Sequence, residues 1–380
     1  MPLKIRMIER LAEVSREAWD SVANPQGAPF EPFLSWDFLD ALETSGCAVE
    51  ETGWGPKHLL AEDEGSGELL GVLPLYLKGH SYGEFVFDHG WANAYENAGG
   101  QYYPKLVTAV PFTPVTGRRV LARDPAVRGA LVDAARHVAA EWGLSGWHVL
   151  FPFEAEWGEL RDAGLLGRTD IQFIWENRGY QSHEDFLADL ASRKRKALKK
   201  ERGTAQHGLE IERLSGDALT KHHWDVFFAC YQETGARKWG SPYLNRAFFS
   251  LIHERMADRV LLVMAKREGE HIAAALNFIG SQALYGRYWG ALEHRDSLHF
   301  ELCYHQAVDY AIEHGLKRVE AGAQGPHKMA RGYRPQAVHS AHHLTQESFA
   351  QAVDRFLARE RAAVQAEIGA LGAETPFKKD

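Results

Sequence analysis

A chain of 380 residues with 45% hydrophobic and 25% charged content is too long for one ordinary core and too apolar for disorder, so two domains are expected. A net charge of −8 argues against nucleic-acid binding over the whole surface but leaves local basic patches open. Three distant cysteines (Cys47, Cys230, Cys303) without CxxC spacing point away from a disulfide framework or a zinc finger and towards a reducing compartment.

The opening MPLKIRMIERLAEV carries charges throughout and lacks the apolar core of a signal peptide. No apolar run approaches the roughly 20 residues of a membrane-spanning helix, so a cytoplasmic protein is expected. From His58, HLLAEDEGSGELLGVLPLYLKG reads as strand, glycine-containing turn, strand. Further extended segments are expected around YGEFVFDHGWA and PKLVTAVPFTPVTG. A helix is predicted behind Asp124 as N-cap with Pro125 at its first position, and GWHVLF after it reads as a buried strand. The second half repeats the order. RVLLVMAKREGEHIAAALNFIGSQALYGRYWG gives a hairpin and a third strand, HFELCYHQAVDYAIEHGLK an amphipathic helix ended by Gly315, and RVEAG the following strand. Two copies of a mixed α/β unit are therefore expected, over 1–168 and 169–345, with a helical tail over 346–380.

Chemistry concentrates in a few stretches. EAGAQGPHKMARGYRP (Glu320 to Pro335) follows a strand and should enter a short helix. Backbone amides exposed by Gly322 and Gly325, with Gln324, Lys328 and Arg331, would form an anion or oxyanion cradle. The glycine spacing is wrong for a Walker loop, and Met329 stands where Ser or Thr would hold magnesium. A glycine-rich turn carrying exposed basic residues would give the same pattern. FDHGWANAYENAGGQYYPK gathers Asp88, His89, Asn93, Tyr95, Asn97, Tyr103 and Lys105, a density that suits a pocket wall fixing a polar substrate; a surface loop with tyrosines packed inward explains it too. On extended backbone Asp88 and His89 would point opposite ways, which makes them a poor dyad. In PFTPVTGRR, Thr113, Thr116 and Arg118 could hold a phosphate, or the run is a proline-stiffened turn. SRKRKALKKER places seven cations from Arg193 to Arg202 around one glutamate. On a helix over 186–203, Arg193, Lys196 and Lys200 share one face and Arg195, Lys199 and Arg202 another. Such a run is either a solvated face or a track for nucleic-acid phosphates. In VHSAHHL, a terminal strand, His339 and His343 lack an acidic or cysteine companion, so no metal site is expected.

GAQGPHKMARGYRP resembles the signature of a FemAB-like branch of the GNAT N-acyltransferase superfamily, whose members are described as N-acyltransferases or peptidoglycan-biosynthesis proteins. HSYGEFVFDHGWANAYENAGGQYYPKLVTAVPFTPVTG, SRKRKALKKER and ETGARKWGSPYLNRAFF are similar to further blocks, so the resemblance spans most of 30–345. It implies a mixed α/β (α+β) fold of two tandem GNAT-like domains, each a mixed central sheet flanked by helices, with a C-terminal helix. Better-known Fem-type relatives move amino acids from aminoacyl-tRNA to peptidoglycan precursors. The usual Gln/Arg-x-x-Gly-x-Gly/Ala loop for the coenzyme A pyrophosphate is missing from both halves, a departure that leaves the donor open.

Direct attack of an amine on an acyl carbonyl needs no enzyme nucleophile and no tightly bound cofactor, with acyl-CoA or aminoacyl-tRNA as co-substrate. It needs a base and oxyanion donors. The catalytic candidates are Lys328 and Arg331 in the cradle and His327, Glu320 and His342 as bases, with Trp239 and Tyr288 lining the cleft. The expected partners are a small-molecule or peptide amine and, through Arg193–Arg202, tRNA. The alternative is a degenerate GNAT pair that recognises a cell-wall peptide or tRNA without catalysis.

Overall fold

The computed structural model describes residues 2–237, 242–322 and 325–378. The chain divides into two compact units, Met1–Ile171 with Ala337–Glu367 and Gln172–Gln336 with Ile368–Asp380.

In the first unit the strands are β1 (Leu3–Ile8), β2 (Trp54–Pro56), β3 (His58–Asp63), β4 (Leu69–Leu73), β5 (Tyr76–Lys78), β6 (Lys105–Thr108), β7 (Leu121–Ala122) and β8 (Gly146–Leu150). One antiparallel sheet runs β1-β3-β4-β7. A second runs β2-β5-β6-β8 and is completed by Ser340 to Leu344 of the chain's last strand, antiparallel to β8. β6 and β8 are parallel, joined by the helix Pro125–Glu141. That helix starts where the sequence predicts: the Asp124 carboxylate accepts the Val127 N–H at 2.9 Å and Pro125 occupies the first turn. Its face of Val127, Leu131 and Ala135 packs with Leu59, Leu73, Trp147 and Val149 into the core, where each large side chain contributes about 2 kcal/mol by leaving water.

The second unit holds β9 (Leu166–Glu176, from Gln172 onward), β10 (Glu210–Leu214), β11 (Val260–Arg267), β12 (Glu270–Ile279), β13 (Ala283–Ala291) and β14 (Arg318–Glu320), in the order β10-β11-β12-β13-β14-β9. Pairing is antiparallel throughout except between β13 and β14, which are parallel and joined by helix 298–313. The helix Lys221–Arg237 sits directly on β13: a Cβ at Gly290 would lie 1.9 Å from the Cys230 carbonyl oxygen, so only glycine allows this approach. Antiparallel strands followed by a crossover helix and a parallel strand thus occur in both units, the tandem GNAT-like arrangement.

Three features depart from the sequence reading. YGEFVFDHGWA was expected to be extended, but from His89 the chain is a helix, His89–Asn97, that buries Trp91 and Ala92. The last strand, β15 (Arg334–Leu344), was expected in the second domain, yet from Ala337 onward it belongs to the first unit, where it lies between β8 and β9, whose Leu166–Ile171 portion is in the same unit. The long helix Glu347–Ala373 is likewise no separate tail. Most of it belongs to the first unit, anchored by Val353 and Leu357 against Trp91 and Tyr102 and by the Glu360 carboxylate, which accepts from Arg168 at 2.8 and 2.9 Å.

Candidate active site

In the second unit the parallel pair opens into a wedge. β14 pairs only Arg318 to Glu320 with Ala283 to Tyr285, while β13 runs on to Ala291. At that divergence the register between β12 and β13 slips, Leu276 facing Tyr288 and Asn277 facing Gly286, so that Arg287 is the extra, bulged residue. A bulge re-aims a side chain and bends its strand. The wedge holds a cavity of about 400 Å³ lined by Gly286, Arg287, Tyr288 and Trp289 of β13, Ala321 after β14, and Cys303 and Tyr304 of the crossover helix. The helix supplies the last two from a π-helical turn, Glu301–His305, an irregularity common where helices present functional groups.

The glycine-rich stretch leaves β14 beside this cavity and forms a short 3-10 helix, Pro326–Arg331. Lys328 is buried, and among the described residues its ammonium makes one hydrogen bond, from Nζ to the Gly322 carbonyl oxygen at 2.7 Å. Burial, reinforced by the Arg287 guanidinium, brings its ammonium down to about 8, against an opposing pull from Cys303. Both neighbours line the cavity, so Lys328 stands behind the wall rather than in it. Arg331, expected beside Lys328 in the cradle, is turned inward instead. Its guanidinium donates to both Glu201 carboxylate oxygens, at 3.0 and 2.5 Å, lies 3.4 Å from the centroid of the Phe300 ring, and donates to the His327 carbonyl at 2.7 Å. Against the push of partial burial, His305 and Arg331 hold Glu201 below the usual carboxylate range. The one acidic residue of the basic run is therefore a clamp for the loop.

His327 is exposed, and its Nε2 lies 3.0 Å from the Tyr304 hydroxyl. Partial burial and the nearby Arg331 and Lys328 charges lower its pKa, which keeps the imidazole neutral at pH 7. Gly325 has φ +117°, and a Cβ there would stand 2.3 Å from the His327 ring, so glycine is what admits the imidazole. Glu320 is buried in β14 and takes the Arg318 Nε–H at 2.7 Å. Tyr288 lines the cavity as expected. Trp239 and Gln324 lie outside the described residues.

The basic run forms the helix Ser192–Gln206. Arg193, Lys194, Lys196 and Lys200 are exposed and Arg195 is half-buried, whereas Lys199 pairs with Glu184 at 2.9 Å and Arg202 turns inward to Asp309 and Glu301. Lys200, His207, Arg267 and Arg295, together with Glu293 and Asp296, line an open groove of about 840 Å³ on the same unit, in which Arg267 pairs with Glu293 at 2.8 Å.

The first-unit candidates do not form one wall, because helix His89–Asn97 sends them different ways. His89, Asn93 and Asn97 are exposed, and Tyr95 packs edge-on against Phe349 at 4.9 Å. Asp88 and Lys105 join a buried ionic network: the Lys105 ammonium donates to Glu84 at 2.8 Å, to Ser81 at 2.9 Å and to Asp88, and Ser81 also meets the Tyr103 hydroxyl at 2.8 Å. Burial pushes Glu84 up to about 7, while Lys105 overcomes the same burial at Asp88 and holds its carboxyl far below the usual range. His342 is also in this unit, fully buried, Nδ1 to Nδ1 with His148 at 2.7 Å and Nε2 to Ser340 Oγ at 2.8 Å. Burial drives both imidazoles far down, His148 to about 3. It is a core histidine pair, and a proton acceptor with no access to solvent is poorly placed as a base.

The parallel pair β6 and β8 is the first unit's counterpart of the wedge, and chain 111–120 fills it. Gly117 donates to the Phe151 carbonyl at 3.0 Å, the buried Arg119 Nε donates to the Leu150 carbonyl at 2.6 Å, and the Glu156 carboxylate accepts from the Arg119 and Val120 amides. Thr113 is buried with its hydroxyl on the Pro111 carbonyl, and Arg118 is ion-paired with Glu31 at 2.6 Å. Thr113 and Arg118, expected as phosphate ligands, thus serve structure instead, the one within its own turn and the other tying the turn to Glu31.

A family model described as FemAB-like, peptidoglycan biosynthesis/recognition, matches residues 10–379. The chain belongs to the FemAB-like family. No curated protein matches its sequence. Among solved structures the FemAB-like chain is similar in fold to FemX (13% identity, 90% of this chain and 98% of that one, TM-score 0.56). It is also similar to L-PGS from Bacillus licheniformis (10% identity, 93% and 99% covered, TM-score 0.55). The C-terminal domain of a protein assigned as lysylphosphatidylglycerol synthetase from Agrobacterium fabrum is a third (10% identity, 92% and 96% covered, TM-score 0.55). Within this FemAB-like protein, Arg287, Cys303, Tyr304 and Glu201 are the site residues that sequence reasoning missed. Only Tyr304 and Cys303 carried a signal, as side chains on the helix that joins the parallel strands.

Proposed function

We propose that the second unit transfers an acyl or aminoacyl group to an amine by direct attack of the amine on the donor carbonyl. The observation that carries this reading is the open wedge between β13 and β14, with bulged Arg287 in its wall and Lys328 behind it, where the matching place in the first unit is filled by its own chain. Charge developing on the carbonyl oxygen would be met by Arg287 in the wall, a preorganised donor being worth about 10²–10³ in rate, with the Lys328 ammonium acting through the wall as a second positive charge. A base removing the amine proton adds about 10²–10⁴. Acyl-CoA and aminoacyl-tRNA are both admissible donors. Six cations are exposed or half-exposed from Arg193 to Lys200, and only Lys199 of them is paired among the described residues, with Glu184; this run favours the donor with many phosphates, and the family description points to a peptidoglycan-type amine as acceptor.

The test is transfer of a labelled group from each donor to an amine-bearing peptidoglycan precursor. Transfer from either establishes the reading; no transfer from both, with binding of neither, overturns it. The same description also names recognition. Binding of precursor or tRNA with no turnover from either donor would establish that second reading.

A further inference from the structure

We infer that Tyr304 and His327 form a proton relay that connects the wedge cavity to solvent, an inference that rests on the transfer reading above. Tyr304 lines the cavity from the π-helical turn, its hydroxyl stands 3.0 Å from His327 Nε2, and the imidazole is on the exposed side. The histidine is placed by two independent devices. Gly325 leaves room for the ring that any Cβ would take, and the Glu201-clamped Arg331 donates to the His327 carbonyl. Nothing in packing alone asks for this arrangement, since an exposed imidazole needs no partner to be stable.

The groups around His327 keep it a proton acceptor. Lys328 and Arg331 of its own turn are cationic, and His299, Phe300 and Tyr304 face it from the helix, with ring centroids at 6.4, 5.9 and 5.9 Å. Tyr304, pushed up by burial, keeps its own proton and so can only exchange one for another. During transfer the amine nitrogen bonds to the carbonyl carbon and gives a proton to Tyr304 Oη, as the Tyr304 proton passes to His327 Nε2. When the bond from that carbon to the donor's sulfur or ribose oxygen breaks, the departing atom takes a proton back through Tyr304, leaving His327 neutral. Protons balance over the cycle. Arg331, in this arrangement, is a positioning residue.

The experiment compares Tyr304→Phe, His327→Gln and the double variant in the transfer assay, with thermal unfolding of each to verify the fold. Each single variant is expected to lose roughly 30- to 100-fold in kcat with KM within about twofold, and the double to lose no more than the worse single, because the two act as one unit. Imidazole in solution should restore part of the rate to His327→Ala. The acid limb of the wild-type kcat profile, set by His327, should vanish in His327→Gln. Full activity in both folded single variants, or losses that multiply in the double, overturns the relay while leaving the transfer reading intact. A wild type that transfers from neither donor overturns the transfer reading and the relay with it.

Discussion

Lys328 shows what a buried ammonium costs the molecule that keeps it. Its folded pKa of about 8 lies below the ordinary 10.5, so between these values the unfolded chain binds more protons and stability rises with pH. Below pH 8 the whole penalty is present, about 3 kcal/mol, since each pH unit between the two values is worth about 1.4 kcal/mol. Lys328→Met should therefore stabilise the fold at pH 7 by about 1–2 kcal/mol after loss of the bond to Gly322, raising Tm by several degrees while lowering kcat by roughly tenfold through loss of a positive charge behind the cavity wall. Thermal unfolding and the transfer assay on the same preparation check both halves; a destabilised Lys328→Met would show the ammonium to be structural. The density of glycine and charge makes Lys328 and His327 legible in the sequence. Arg287 is not, because its place depends on a one-residue slip between Leu276–Tyr288 and Asn277–Gly286, which no local pattern announces. Asp88, His89 and Asn93 stand out by polarity alone, and polarity says nothing of direction: one is buried on Lys105 and two face solvent.

At the scale of elements, the helix Ser192–Gln206 has two faces with two tasks. Its inner face carries Glu201, which holds Arg331 and His305. Glu201→Gln leaves the Arg331 guanidinium, only 7% exposed, without its counter-charge, and a loss of about 3 kcal/mol in urea unfolding is expected. Its outer face carries Arg193, Lys194, Lys196 and Lys200, with Arg195 at the margin. With about five such contacts, tRNA affinity should fall with salt at a log–log slope of roughly −3 to −4. Changing Arg193, Lys194, Lys196 and Lys200 to Gln should flatten that slope towards about −1, and an unchanged slope would remove the helix from any polyanion contact. The helix itself is legible from its charge spacing, but its single glutamate looks like an interruption. The helix His89–Asn97 reads as extended at first sight, although Trp91, Ala92 and Tyr95 stand at helical spacing; the flanking glycines and tyrosines imitate a loop.

For the whole molecule, order of elements is the most legible feature and ownership of the last strand the least, because strand exchange is decided by pairing partners far away in the chain. Ser340 and His342 lie on one face of β15, where His342 meets both Ser340 and, across the strand pair, His148 of β8 in the first unit. The two imidazoles are held neutral, with folded pKa values far below 6.5. Below pH 6.5 the unfolded chain takes up protons that the folded one refuses, so stability falls as pH drops, by a slope that approaches about 1.4 kcal/mol per histidine per pH unit once the unfolded imidazoles are fully charged. Between about pH 6.5 and 5.5 the pair should remove about 2 kcal/mol, and the double variant His148→Gln, His342→Gln should lose that slope in chemical denaturation.

The same strand ties the timetable of folding to the end of synthesis. A nascent chain that has delivered everything up to Ile171 still presents β8 as an open edge, and the neighbour it awaits is more than 160 residues of translation away. Until Ser340 to Leu344 emerge, that edge needs a chaperone or a placeholder. A ribosome stalled before residue 337 would carry a second unit able to close its own sheet and a first unit that cannot.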